Sequence, residues 1–178
     1  MGRSLRVVSV LLISVLASAL LAYVIGLRLN ATRSIPLGVY ITSSAPIAVG
    51  RYVIFCPSDR GDFQEAQRRG YIGVGLCPGG LGQLMKRVLA EAGDYVHIDD
   101  LGVHVNGVLL IDSKRVGVDA RGKAIPGRAW SARVLAPSEV LLMSDANPDG
   151  YDGRYYGPVD RSQIKSVIRP IMIWSATS

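Results

Sequence analysis

Gln83-Leu84-Met85-Lys86-Arg87-Val88-Leu89-Ala90-Glu91-Ala92-Gly93-Asp94 is the stretch that decides the fold. Successive side chains of a strand point to opposite faces. Over 83–89, Leu84, Lys86 and Val88 therefore share one face, and Met85, Arg87 and Leu89 share the other. Lys86 sits between two apolar neighbours on its own face, while Arg87 points away. Gly93-Asp94 reads as the turn that ends the run, with Asp94 a turn residue.

Comparable short runs lie at 38–42, 51–56, 95–98, 103–111, 140–143 and 166–174. They are rich in Val, Ile and Tyr and are bounded by Gly, Pro, Asp or Asn, so they read as strands. Asn106-Gly107 is a hairpin signal, because a type I′ turn needs positive φ at two successive residues. The spacing predicts one helix over 63–69, with Asp62 as its cap, Glu65 completing a capping box and Gly70 ending it. The fold class is mainly β: a twisted antiparallel β-sheet domain.

Residues 7–27 carry no charge. As a helix they would span about 31 Å, close to the hydrocarbon thickness of a bilayer. Arg3 and Arg6 precede the run, and Arg28 and Arg33 follow it, so the positive-inside rule is nearly balanced. One reading is an uncleaved transmembrane anchor. The other is a cleavable signal peptide, with Arg3 and Arg6 as its basic region and Ala17-Ser18-Ala19 as its cleavage site. Continuation of the apolar run through Leu27 favours the anchor. The expected organisation is an anchor over 1–28 and one domain over 29–178. Met1-Gly2 does not indicate myristoylation, since position 6 is Arg.

With 178 residues, 49% hydrophobic and 19% charged, the chain is not disordered and has room for one membrane segment and one compact domain. The net charge of +6 is spread along the chain and is densest over 114–133. That stretch reads as a solvated loop face or as a surface drawn to anionic lipid head groups. Nucleic acid is not an expected partner, because no aromatic-plus-basic platform or helix-turn-helix pattern accompanies the charge. Cys56 and Cys77 cannot by themselves make a tetrathiolate zinc site, and neither His97 nor His104 has zinc-ligand spacing to them.

Ser34 stands in Ser34-Ile35-Pro36-Leu37-Gly38. Pro36 fixes its own φ and pushes Ile35 towards an extended conformation, and Gly38 lets another backbone approach closely. The result is a rigid entry to a strand, suited to presenting a hydroxyl. A serine hydroxyl is a weak nucleophile without a base. Lysine can be that base only when neutral, and burial among apolar groups lowers its pKa. A third phrase follows, Ser144-Asp145-Ala146-Asn147-Pro148-Asp149-Gly150-Tyr151-Asp152-Gly153-Arg154-Tyr155. In this order, the phrases around Ser34, Lys86 and Asp152 resemble the type I signal peptidase family of serine proteases. The resemblance runs from the membrane segment to Val159.

The resemblance implies a twisted antiparallel β domain with a Ser/Lys dyad of Ser34 and Lys86. It implies that the Ser34 backbone N–H and the hydroxyl of Thr32 hold the oxyanion. Asp152 and Arg154 match the family's Asp-x-Arg pair, which braces the site, and on an extended segment they would share one face. One departure stands out. Many members carry Ser at the position of Gly150, where its hydroxyl contacts the lysine. Gly150 cannot do so, and Ser144 and Asp145 are the candidate substitutes.

The resemblance further implies a single-pass protein of the inner membrane with its domain in the periplasm, or a periplasmic protein after signal cleavage. In that oxidising compartment a Cys56–Cys77 disulfide is expected, contributing roughly 3 kcal/mol by chain entropy, and two buried free thiols are the other reading. The implied activity is endoproteolysis of a translocated precursor, with no metal or organic cofactor. The short length, the Ser34 phrase and the two Cys-Pro phrases resemble the branch that serves conjugation, so the implied substrate is a pilin precursor matured by hydrolysis or by ring closure. The implied partners are that precursor, membrane lipid, and components of conjugation or type IV secretion. The alternatives are a general signal peptidase and a non-catalytic assembly factor of such a channel.

Overall fold

A computed structural model describes residues 2–119, 121–145 and 147–174. It begins with a helix, α1 (Arg3–Val24), in which no residue is buried. Its mean hydropathy is 2.6, and among the described residues it alone is long and apolar enough to cross a membrane. The helix takes in Arg3 and Arg6 and stops earlier than the apolar run does. Gly26, at φ +91°, breaks it, and the backbone N–H groups of Ile25 and Gly26 close its last turn on the Leu21 and Tyr23 carbonyls. Arg28 caps this end: its guanidinium donates to the Tyr23 carbonyl at 2.9 Å and lies 4.1 Å from the Tyr23 ring centre.

Beyond α1 the chain is mainly antiparallel β. In order, the elements are β1 (Leu27–Asn30), β2 (Gly38–Ser43), β3 (Tyr52–Phe55), α2 (Gly61–Arg68), β4 (Leu84–Ala90), β5 (Tyr95–Ile98), β6 (Val103–Val105), β7 (Val108–Leu109), β8 (Arg133–Val134), β9 (Glu139–Met143), α3 (Gly153–Tyr156), β10 (Val159–Asp160) and β11 (Ile164–Ile173). The larger sheet runs β1-β2-β11-β3-β4-β9-β10, and the smaller runs β7-β6-β5-β8.

The sequence reading contains no strand at β8 or β10, and four further details depart from it. Residues 27–30, read as the end of the apolar run, form β1 and pair with β2 from Leu27↔Ile41 to Asn30↔Gly38. Their two-residue alternation is hidden because it adjoins that run. The single run 103–111 divides into β6 and β7 around Asn106 and Gly107, whose φ values of 50° and 83° are those a type I′ turn requires. The helix over 63–69 begins two residues earlier and has no capping box. Asp62 instead receives the Arg60 guanidinium at 2.7 and 3.0 Å, and Glu65 pairs with Arg68 and Arg69. A capping box does form later, where Asp160 and Gln163 bond reciprocally across the short 3-10 turn Arg161–Gln163. The fourth departure concerns Asp152 and Arg154 and belongs to the site below.

Three apolar clusters hold the sheets. Val53, Phe55, Phe63, Val88, Leu142, Tyr151 and Tyr156 lie in the first, where α2 and α3 pack against the larger sheet. Burying each of the larger side chains is worth roughly 1.5–3 kcal/mol. Ala90, Leu141 and Met143 meet Val96, Val103 and Leu135 in the second, which joins the two sheets. Ile35, Tyr40, Ile54 and Ile168 form the third, beneath the Ser34 turn. Cys56 and Cys77 are joined as a disulfide with their Cα atoms 5.4 Å apart. The bridge ties the end of β3 to the segment leading into β4, and α2 lies in the loop it closes.

Candidate active site

Ser34 lies in the turn between β1 and β2, held from two sides. On one side is Asn30, 2% exposed at the end of β1. Its side-chain amide donates to the carbonyls of Thr32 and Ile35 at 2.8 Å and of Pro36 at 3.0 Å. On the other, the hydroxyl of Tyr40 donates to the Pro36 carbonyl at 2.6 Å. Ile35 is fully buried, so the turn is pinned from below and leaves Ser34 half-exposed. Gly38 passes so close to β11 that a Cβ there would collide with the Met172 carbonyl, which accounts for glycine at that step. Asn30 was not singled out from the sequence. The only signal was its place at the end of a four-residue alternation that directly precedes the Ser34 phrase.

Lys86 stands on β4 opposite Val53 of β3. It is 1% exposed and shares its buried face with Val88. Arg87 faces the other way, its guanidinium meeting the Gly50 carbonyl and the Asp145 carboxylate at 3.1 and 3.2 Å. The Nζ of Lys86 is 3.2 Å from Oγ of Ser34 and 2.7 Å from Oγ of Ser144. Burial pulls the Lys86 pKa down from its ordinary 10.5 to about 8, against the upward push of the Asp152 and Asp145 charges. Arg154 adds to the lowering.

Ser144 follows the end of β9, and Asp152 sets its position. The Asp152 carboxylate accepts from the Ser144 backbone N–H at 2.9 Å. It also accepts from Arg154, through the backbone N–H at 3.1 Å, Nε at 2.8 Å and Nη2 at 2.9 Å. Both side chains are fully buried. The two do not share the face of an extended segment. Asp152 caps the one-turn helix α3, and Arg154 lies inside that helix, because the carboxylate takes up backbone N–H groups that the turn would otherwise leave unpaired. The Arg154 guanidinium then reaches the carbonyls of Pro148 and Gly150, the latter at 2.8 Å, and fastens the loop between β9 and α3.

Gly150 packs against Ser144, and a Cβ at 150 would collide with the Ser144 side chain. The space that a residue-150 side chain would use is thus filled by the hydroxyl that meets Lys86. Asp145, the other candidate substitute, makes no hydrogen bond to Lys86. Its carboxylate accepts from Tyr52 at 2.9 Å and pairs with Arg87, and its backbone N–H donates to the Ser34 carbonyl at 3.2 Å. Thr32 is exposed, and its hydroxyl donates to Oδ1 of Asn30 at 2.9 Å.

The profile of the signal peptidase family, peptidase S26, matches residues 3–174. A plasmid transfer protein TraF of Escherichia coli is 49% identical over 172 residues, covering 95% of this chain and 97% of its own. A conjugal transfer protein TraF of Agrobacterium tumefaciens (strain 15955) is 40% identical, covering 89% of this chain and 90% of its own. A solved signal peptidase I of Enterococcus faecalis V583 overlays 70% of this chain and 98% of its own at a TM-score of 0.39 and 15% identity. That last likeness is too loose to bear on the site. The profile match and the identity to these relatives both run nearly end to end, and on that ground the chain belongs to the signal peptidase family, peptidase S26.

Proposed function

We propose that this chain is a membrane-anchored serine endopeptidase that processes a translocated precursor in conjugation, with Ser34 as nucleophile and Lys86 as general base. The observation that carries the reading is the buried Nζ of Lys86, 3.2 Å from Oγ of Ser34, with a pKa lowered to about 8. In its neutral form, Nζ donates one N–H to Ser144 and turns its lone pair to the Ser34 hydroxyl. As Oγ attacks the scissile carbonyl carbon, its proton passes to Nζ and the carbonyl oxygen becomes an oxyanion. The Ser34 backbone N–H holds that oxyanion, joined by the Thr32 hydroxyl once it leaves Asn30. The Lys86 ammonium returns the proton to the leaving amine as the C–N bond breaks, and an ester remains on Ser34. Neutral Lys86 then takes a proton from the second nucleophile. Water gives a carboxylate, while a substrate amine gives a new amide and a closed ring; either regenerates Ser34.

α1 serves as the anchor, and the catalytic domain, which the fold begins at β1 rather than at residue 29, lies in the periplasm, where the Cys56–Cys77 bridge would persist. The relatives' role in plasmid transfer makes a pilin-like precursor the proposed substrate.

The test uses the full chain in detergent with a precursor substrate. Ser34→Ala and Lys86→Ala each abolish cleavage while the protein accumulates and keeps its fold. Only the neutral base works, so the wild-type rate rises about tenfold per pH unit below the Lys86 pKa and levels off above it. Measurable cleavage by either variant overturns the dyad.

A further inference from the structure

His97 on β5 and His104 on β6 are cross-strand partners in the smaller sheet, away from the elements that carry Ser34 and Lys86. Their rings stack with centres 4.2 Å apart and planes 11° from parallel. Asp99 stands in the turn that joins the two strands. Its Oδ1 accepts from the backbone N–H groups of Leu101 and Gly102 at 2.9 and 3.1 Å. Its Oδ2 is thereby directed at the imidazoles, 3.0 Å from Nε2 of His104 and 3.8 Å from Nε2 of His97.

The imidazoles are not satisfied by this arrangement. Nε2 of His104 is buried and not aligned to donate to the carboxylate, and Nδ1 of His97 is buried without a hydrogen-bond partner. Buried polar atoms normally have partners. One donor atom from each of the three side chains can be chosen so that all lie within 4.8 Å of one another. Ligand atoms about a tetrahedral zinc are roughly 3.3 Å apart, given bonds of about 2.0–2.1 Å, so a small inward movement of the side chains closes the set. Asp99 and His97 are partly exposed, which leaves an entry path and room for a water as the fourth ligand.

We propose that His97, Asp99 and His104 form a binding site for a divalent transition-metal ion of the zinc class. Two imidazoles and a carboxylate suit such an ion, whereas magnesium prefers an all-oxygen octahedral shell. The bound ion staples the β5–β6 hairpin at its turn. The site is separate from the peptidase reaction and does not depend on it. The sequence reading compared each histidine only with the cysteines. The ligand set arises across two strands, with Asp99 brought in by the turn.

The test titrates zinc chloride into the full, tag-free chain in detergent after stripping with a chelator. The expected result is one zinc per chain, a higher melting temperature with zinc than without, and no such response to magnesium. Asp99→Asn, and His97→Ala with His104→Ala, each weaken binding by about tenfold or more. Since the chain contains only two histidines, imidazole proton resonances of the unaltered protein report the site directly, and both shift as one equivalent of zinc is added. Resonances that stay in place, or one-to-one binding that survives in the double histidine variant, overturn the site. The first of these readings decides the matter even if a variant fails to fold.

Discussion

Ser144 and Gly150 act as a pair, because the hydroxyl beside Lys86 fits only where residue 150 has no side chain. Removing that hydroxyl by Ser144→Ala leaves Nζ held by Ser34 alone, and kcat falls about 10- to 100-fold, the worth of one hydrogen bond to a group that becomes charged. Gly150→Ser alone also lowers kcat, since its side chain collides with Ser144. The double variant, Ser144→Ala with Gly150→Ser, recovers much of the loss by offering a hydroxyl from the other side. Comparing kcat for all three checks this, and a double variant worse than either single one sinks the exchange. Asp152 acts one step further out, through the Ser144 backbone N–H and Arg154. Asp152→Asn keeps the shape but removes the charge opposite a buried guanidinium, a loss of roughly 1.5–3 kcal/mol per charged contact. Activity falls strongly, though less completely than in Ser34→Ala. Hydrolysis and ring closure of a precursor, measured separately, fall together. Selective loss of ring closure would place Asp152 on the incoming amine instead.

The Cys56–Cys77 bridge belongs to α2, whose loop it closes. Chemical denaturation of a variant with Ser at both positions shows a stability lower by roughly 3 kcal/mol. Thiol labelling of the unreduced, denatured wild type finds no free thiol, and two labelled thiols per chain would refute the bridge. How far such elements can be read beforehand depends on the range of the forces that set them. β4 is legible because its alternation is local and one face is buried. The hairpin at Asn106-Gly107 is legible because turn chemistry is local too. β1 is not, since Leu27 and Leu29 continue an apolar run and only pairing with β2 distinguishes them. The start of α2 is misread because Arg60 and Arg69 draw off the two carboxylates that the capping pattern assigned to the backbone. Within the candidate site, the phrases single out Ser34 and Lys86, which the fold brings to 3.2 Å of each other, Oγ to Nζ. The place of Ser144 depends on a contact 58 residues distant, which local pattern does not carry.

The join between α1 and the β domain is short and stitched. α1 stops at Val24 and β1 starts at Leu27. The Gly26 carbonyl accepts from the Thr42 backbone N–H at 2.9 Å, and a Cβ at 26 would strike the Thr42 side chain. From this join, β1 runs about 13 Å to the Ser34 turn. With α1 across a bilayer, as proposed, this short join would hold Ser34 near one height above the lipid. On the proposed reading, the bilayer surface would become the zero mark of a ruler, and a precursor would be cut where its own membrane exit brings a bond level with Ser34. Flexible Gly-Ser pairs inserted between Gly26 and Leu27 would then broaden the choice of cut site more than they slow the cut. Mass spectrometry of products from precursors with graded spacers reads this out, and an unchanged single cut site with the longest insert would remove the ruler. On that reading, accuracy of cleavage would rest on the close fit of Gly26 against Thr42 as much as on any pocket that recognises side chains.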